Sequence, residues 1–120
     1  MIFNSDLHEQ SFPLRQAEPV ETAGASKVKV RWFITKEMGA NNFAMRIFEI
    51  ESGGYCPLHK HPWEHEVFIL EGDGQLFNGE DATLFKAGDV VFVPPDTMHQ
   101  FVNNGKLLLK FICLIPCAKE

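Results

Sequence analysis

Short apolar runs separated by Gly, Pro and Asn dominate the chain from Lys27 onward. Within several of them hydrophobic and polar residues alternate, which is the pattern of a β-strand with one buried face. Asn78-Gly79 between two such runs favours a hairpin turn. The runs predict strands over residues 28–35, 43–51, 65–70, 74–77, 82–85, 90–93, 99–102 and 107–115. Many short strands with frequent turn residues are typical of an all-β sandwich or barrel.

The alternation also predicts which side chains of the first strand point into the core. The charged residues of this run occupy odd positions, so its even positions are expected inside. These inward residues are Val28, Val30, Trp32 and Ile34.

In the last strand Lys110 marks the even positions as outward. The odd positions, which are expected inside, are Leu107, Leu109, Phe111 and Cys113. The remaining apolar residues, Leu108, Ile112 and Leu114, would form an outer face. Such a face needs a cover, because long apolar strands left at a surface aggregate. The cover would be either the N-terminal segment or a second copy of the chain.

The composition indicates one compact domain. The 120 residues are 45% hydrophobic and include eleven phenylalanines, enough for a packed core. Residues 1–26 are more polar and less periodic, which predicts an N-terminal arm on a barrel domain of residues 27–120.

The charge and hydropathy of the chain disfavour two classes of partner. A net charge of -5 without a Lys/Arg cluster argues against nucleic acid and anionic membranes. The longest apolar run, residues 111–118, is far shorter than the roughly twenty residues of a transmembrane helix. The first residues lack the pattern of a secretory signal, so we expect a cytoplasmic protein.

Histidines cluster in one short stretch. His59, His61 and His65 share one strand parity, so a single face can present three imidazoles. His99 follows the 90–93 strand and a turn, and a neighbouring strand could carry it to the same place. Several unpaired imidazoles pointing inward would be costly without a shared partner. Because neutral imidazole is a common metal ligand, these four residues predict a site for one divalent transition metal per chain.

Two segments resemble the two sequence motifs of the cupin family. The first is Gly53, five residues, His59-Lys60-His61, four residues and Glu66. The second is Gly88, five residues, Pro94, four residues, His99, three residues and Asn103, with fifteen residues between Gly72 and Gly88. The resemblance implies an antiparallel jelly-roll β-barrel, also called a double-stranded β-helix, that holds one metal near its centre and is commonly a homodimer. It is closest to the single-domain group known as cupin 2, conserved barrel.

The chain departs from these motifs at two positions. Asp96 stands where the second motif usually has Gly, which is tolerable if the turn needs no strained φ. The Glu ligand of the first motif falls on Glu66 by counting from His61, but on His65 by counting back from Gly72. Strand parity favours His65, because Glu66 faces the other way.

The stretch from His59 to Glu66 also resembles a subset of small cupins that bind manganese through four histidines. That resemblance implies manganese as the metal, with iron, nickel, zinc or copper as further possibilities. The predicted ligands are His59, His61, His65 and His99, and Glu66 is the reserve ligand.

Four neutral ligands leave the charge of the ion in place and leave two positions open in a six-coordinate site. Saturated tetrahedral zinc would suit a structural role instead, and both readings stay open. By parity no Arg or Lys shares a face with the histidines, so the expected ligand is a small neutral or aromatic molecule. The residues expected to line the cavity are Trp32, Trp63, Phe101, Phe111 and Cys113.

The family resemblance implies metal-dependent oxidoreductase chemistry, of the dioxygenase type, on a small molecule. A metal-dependent isomerase or lyase is the first alternative. The second is a non-catalytic barrel that binds a small ligand for sensing or storage. Oxygen uptake would favour the oxidoreductase, and a ligand that stays bound and unchanged would favour the non-catalytic barrel.

Overall fold

A computed structural model of the protein describes residues 17–117. In this range the chain forms nine strands and one short 3-10 turn, Lys36–Met38. The strands are β1 (Glu18–Pro19), β2 (Ser26–Ile34), β3 (Phe43–Tyr55), β4 (His65–Glu71), β5 (Asp73–Phe77), β6 (Ala82–Lys86), β7 (Val90–Val93), β8 (Gln100–Val102) and β9 (Leu109–Pro116). The prediction of an all-β fold is confirmed.

All nine strands belong to one curled antiparallel sheet. Its order is β6-β5-β8-β3-β9-β4-β7, and β2 pairs with both β3 and β1. The 13 residues of β3 allow it to pair with β2, β8 and β9, so it joins the parts of the sheet. The buried core lies on the inner face and includes Ile50, Val67, Ile69, Val93, Phe101, Leu109 and Phe111.

Only part of the predicted N-terminal arm can be compared with the structure. Residues 1–16 lie outside the described residues, as do residues 118–120 of the barrel segment. The later part of the arm pairs with β2 through Glu18–Pro19. Strand β2 itself begins at Ser26, inside the predicted arm.

The first strand follows its predicted alternation only as far as an irregularity. Val28 and Val30 are buried as expected, and Trp32 packs against the core while partly exposed. The prediction for Ile34 is wrong, since this residue is 36% exposed. The register of β2 against β3 shifts between Trp32 and Ile34, and such a bulge turns the following side chain to the other face.

The last strand confirms its predicted inner face at Leu109, Phe111 and Cys113, which are all at most 1% exposed. The prediction for Leu107 is wrong, because this side chain is 74% exposed. Strand β9 begins only at Leu109, and Leu107 lies in the bend before it. The two-residue periodicity therefore does not reach Leu107.

The outer face of β9 is apolar, as predicted, at Ile112 and Leu114, which are half-buried. Leu108 is not part of this face, since it precedes the strand and is 40% exposed. Cross-strand pairing instead adds residues from β4 and β7. We call this surface the outer apolar patch, and it consists of Phe68, Val90, Phe92, Ile112 and Leu114.

The Asn78-Gly79 hairpin is confirmed between β5 and β6. Gly79 adopts a φ of 100°, a value that glycine tolerates without strain. The side-chain oxygen of Asn78 accepts hydrogen bonds from the backbone N–H groups of Glu80 and Asp81, at 2.9 and 2.7 Å.

Candidate metal centre

Four histidine rings meet on the inner side of the sheet. His65 is the first residue of β4, and His61 lies in the loop before it. His59 and His99 face each other in an isolated antiparallel bridge, with two backbone hydrogen bonds of 3.1 and 2.9 Å. Ring centroids of neighbouring histidines lie 4.5 to 5.3 Å apart. Backbone pairing with His99, rather than a regular strand, therefore positions His59.

The tautomers of three rings are fixed by the backbone. The Nδ1 atoms of His59, His61 and His99 each lie 2.8 or 2.9 Å from a carbonyl oxygen two residues away along the chain. A carbonyl oxygen can only accept, so each Nδ1 carries the proton and donates it. The lone pair of each neutral ring is then on Nε2. Backbone acceptors of this kind orient the histidine ligands of metal sites.

His65 makes different contacts. Its Nε2 lies 2.6 Å from Nε2 of His61, and its Nδ1 lies 3.0 Å from the Sγ of Cys113. The side chain is buried, whereas Glu66 is exposed on the opposite face of β4. The structure therefore places His65 inside and the reserve ligand Glu66 outside, beside Phe92 and Leu114 of the outer apolar patch.

The donor set fits a divalent metal ion. Nε2 of His61 carries a lone pair and lies 2.6 Å from Nε2 of His65, a distance at which the two nitrogens share a hydrogen bond when His65 is protonated there. His59, His61 and His99 could hold a metal ion, since each offers one ligand atom within 4.8 Å of the other two. Neutral imidazoles at such a spacing suit a transition ion.

Burial keeps His61, His65 and His99 in their neutral form. It lowers the pKa of His65 to about 3, and the positive charge of Arg46 adds to the effect. Burial also lowers the pKa values of His61 and His99. Neutral imidazole is the form that binds a metal, so near pH 7 the rings need lose no proton to do so.

The two nearby thiols are protonated for the same reason. Burial raises the pKa of Cys56 to about 12 and also raises the pKa of Cys113. A metal ligand would have to be the thiolate. The structure therefore favours histidines as the metal-binding groups here and leaves Cys113 as a neutral neighbour of His65.

A cavity of about 500 Å³ opens beside the histidines. Its volume lies in the range of small-molecule sites. It is lined by Val20, Thr22, Ala23, Arg46, Phe48, Cys56, Pro57, Leu58, His59, His65, His99, Phe101, Phe111 and Cys113. Phe101, Phe111 and Cys113 thus lie where the sequence predicts them.

The two tryptophans predicted in the cavity lie elsewhere. Trp63 stacks on the ring of His61 with centroids 4.1 Å apart and planes 4° from parallel. Trp32 lies against the guanidinium of Arg46, whose central carbon is 5.2 Å from the ring centroid. Neither ring is among the residues that line the cavity. Trp63 instead packs on a histidine of the cluster, and Trp32 packs on Arg46, which lines the cavity.

The expectation that no Arg or Lys shares the cavity is wrong, because Arg46 lines it. Arg46 lies on β3 directly opposite Cys113 of β9, and its Nη2 is within 3.9 Å of the Cys113 Sγ. The alternation of residues in β3 already indicates that the side chain of Arg46 points inward. Arg46 falls in step with Ala44 and Ile50, which are both fully buried.

The turn after β7 needs the left-handed backbone conformation that its usual glycine would supply. Asp96 adopts a φ of 59° there, so this turn does need a strained φ. Aspartate is one of the few residues other than glycine that adopt this region readily. Its backbone N–H donates a 2.8 Å hydrogen bond to the carbonyl of His61. The turn thereby helps to fix the loop that carries His61.

A sequence profile of the family described as Cupin domain matches residues 46–115. The chain therefore belongs to the cupin family, and the neighbouring folds include other cupin 2 barrels. A cupin 2 conserved barrel domain protein from Rhodopseudomonas palustris has a TM-score of 0.72 and 32% identity, covering 82% of this chain and 67% of that one. Within the part of the chain that the structure describes, no helix could cross a membrane.

Three relatives with more specific names are similar to this chain. The polyketide cyclase RemF from Streptomyces resistomycificus has a TM-score of 0.80 and 32% identity, covering 85% of this chain and 73% of that one. An oxalate-binding protein from Thermotoga maritima is 34% identical over 77% of this chain and 78% of its own length. A 1-methylthio-D-xylulose 5-phosphate methylsulfurylase from Rhodospirillum rubrum is 30% identical over 63% of this chain, which spans only 49% of that relative.

Proposed function

We propose that this cupin binds one divalent transition metal through His59, His61, His65 and His99 and acts on a small molecule in the adjoining cavity. Manganese is the proposed ion, on the resemblance to four-histidine cupins. The proposed reaction is an oxidoreductase reaction of the dioxygenase type.

The observation that carries this proposal is the common direction of the ring nitrogens. Three Nδ1–H groups donate to backbone carbonyls, which leaves three Nε2 lone pairs within one small volume. His65, whose Nε2 lies 2.6 Å from that of His61, is the proposed fourth ligand beside them. An arrangement that concentrates lone pairs without a partner would be unfavourable in a buried site.

The protein supplies the surroundings of the reaction as well as the ligands. When bound, the ion would supply open coordination positions and Lewis-acid or redox chemistry. The aromatic rings of Phe48, Phe101 and Phe111 line the adjoining cavity and would give a bound molecule an apolar surface. The rings of Phe101 and Phe111 stack on each other with centroids 4.8 Å apart.

Metal analysis combined with thermal unfolding tests the proposal. The purified protein should contain one transition ion per chain, and removal of that ion with a chelator should lower the melting temperature. Adding back manganese, iron, nickel or zinc singly should restore it. A protein without metal whose melting temperature does not rise with any of these ions would contradict the proposal.

The relative named a polyketide cyclase favours a second candidate, in which the ion acts only as a Lewis acid. The two candidates differ in their need for oxygen. Turnover with stoichiometric oxygen uptake supports the oxidoreductase, and equal turnover without oxygen supports an isomerase or lyase. A ligand that stays bound and unchanged would support a binding protein, as the name of the oxalate-binding relative suggests.

A further inference from the structure

Arg46 brings a positive charge into the cavity, and within residues 17–117 no carboxylate forms an ion pair with it. Its side chain is half-buried, and its Nε is buried and has no hydrogen-bond partner. Within residues 17–117 the ion pairs are Arg31 with Glu49 and Lys86 with Asp89, and neither includes Arg46. Removing a guanidinium from water without hydrogen-bond acceptors is costly, so such a group is normally paired.

Aromatic rings hold the guanidinium in place. Its central carbon lies 4.7 Å from the ring centroid of Phe48 and 5.2 Å from that of Trp32. Cation–π contacts at these distances stabilise the charge modestly and orient the plane of the group. They use the faces of the guanidinium and leave the N–H groups at its edge for an acceptor. Among the residues that the structure describes, those N–H groups make one polar contact, the 3.9 Å approach of Nη2 to the Cys113 Sγ.

The position of Arg46 relative to the histidines defines what could bind. Cys113 Sγ is contacted by Arg46 on one side and by His65 Nδ1 on the other. The guanidinium and the histidine cluster are thus separated by one sulfur atom along this wall. The cavity that Arg46 and His65 share has a largely aromatic lining, in which the rings of Phe48 and Phe111 stack with centroids 5.4 Å apart.

We propose that Arg46 is the anion-recognition residue of this cavity and binds the carboxylate of a small carboxylic acid with an apolar body. The apolar body would pack on Phe48 and Phe111, and the far end would reach the histidine cluster. A planar guanidinium pairs with a carboxylate through two parallel hydrogen bonds, which suits this acid class better than a neutral ligand. The orientation toward the histidines rests on the function proposed above, whereas the contact with Arg46 does not require the metal.

A matched pair of probes tests the assignment. We would titrate 3-phenylpropanoate and its neutral amide, 3-phenylpropanamide, into the metal-loaded and chelator-treated protein by calorimetry. The acid should bind the metal-loaded protein at least about tenfold more tightly than the amide, which is the scale of a charge-assisted hydrogen bond. The metal content of each sample is measured separately, so failure of the metal proposal is seen independently of probe binding.

Three variants locate the charge that is responsible. Arg46→Gln should remove the preference for the acid, with a loss of about tenfold to a hundredfold in its affinity. Arg31→Gln is the control, because it removes the same charge from the outer face of β2. Arg46→Lys retains the charge without the planar fork and should keep part of the preference.

Three results would overturn the assignment. One is that the acid and the amide bind the wild-type protein equally, or that neither binds. Another is that the preference survives in folded Arg46→Gln protein but disappears when the metal is removed, since the acid would then bind the ion. If Arg46→Gln does not fold, modification of wild-type Arg46 by phenylglyoxal decides, because the acid should protect this residue and the amide should not.

Discussion

The ring of His65 is held by a thiol, whereas the other three rings of the histidine cluster are held by backbone carbonyls. A thiol hydrogen can rotate, and the sulfur can act as a weak donor or a weak acceptor. His65 is therefore the ring whose tautomer the backbone does not fix. Strand parity predicts that His65 points inward. That its ring is held differently from the other three is seen only in the contact of its Nδ1 with the Cys113 Sγ. Sequence periodicity gives no information on ring tautomers, because it describes directions and not hydrogen bonds.

Separate substitutions of the two neighbouring ligand candidates, His65 and Glu66, should differ in their effect on metal affinity. We expect His65→Ala to weaken metal affinity by about tenfold or more, as the loss of one donor or its support commonly does. Glu66→Gln should change it little, since Glu66 is exposed on the opposite face. Competition with a chelator measures both affinities. The reverse ranking would mean that β4 is shifted by one residue and that all of its side chains face the other way.

The metal-free protein should lose stability on acidification within a defined range. His65 is neutral in the folded state down to a pKa of about 3, whereas its ordinary value is 6.5. The unfolded chain therefore takes up the proton first, and stability is retained above pH 6.5 and falls as the pH drops toward 3. Urea unfolding of metal-free protein across this range measures the slope. The His65→Gln variant, which cannot be protonated there, should have a smaller slope.

At the scale of strands, alternation predicts the inner face wherever the pairing is regular. Strand β9 pairs without interruption against β3, and its buried residues follow the two-residue period from Leu109 to Ile115. The period fails where the backbone departs from a regular ladder, as in the bulge before Ile34. A bulge arises from pairing between strands, so the residues of one strand do not reveal it.

Two leucines near the start of β9 test where the strand begins, because the predicted strand includes Leu107 and the observed strand begins at Leu109. Leu109→Ala should lower the free energy of unfolding by about 2–5 kcal/mol, because a fully buried side chain leaves a cavity. Leu107→Ala should change it by no more than about 0.5 kcal/mol, because this side chain is exposed. Urea unfolding gives both values. Equal losses would place Leu107 in the core, as the alternation alone predicts.

At the scale of the whole molecule, the family motifs predict the barrel, but periodicity alone does not predict which strands are neighbours. Strand β3 pairs with β8 and β9, which are far away in sequence. This pairing puts Arg46 beside Cys113 and the histidines, so the charge in the cavity follows from topology. Arg46 was not expected in the cavity because faces were assigned from β2, β4 and β9 and not from β3, whose alternation places Arg46 in step with the buried Ala44 and Ile50.

The outer apolar patch predicts association of two copies. Phe68, Val90 and Phe92 are 44%, 75% and 56% exposed, and they lie together on neighbouring strands. Closed two-fold dimers are the commonest oligomers and would bury such a patch against itself. We expect a solution mass of twice the 13.6 kDa of one chain at micromolar concentration. Light scattering after size-exclusion chromatography measures it.

A charge in the patch should dissociate this dimer. We expect Phe92→Glu to give a monomer, because pairing would bury two unpaired carboxylates. Leu84→Glu is the matched control, since Leu84 is 72% exposed on β6 and lies outside the patch. A wild-type monomer would rule out the dimer.

His59 and His99, two of the proposed metal ligands, are joined by a backbone bridge, and their rings are also in contact. Each residue donates its amide hydrogen to the carbonyl of the other. To exchange either hydrogen with solvent deuterium, the protein must open this bridge, which lies outside the regular strands. With an ion bound, the same opening would separate two of its ligands. The exchange rate of these two amides should therefore follow the dissociation rate of the ion, so the protein backbone itself would report how long a metal stays.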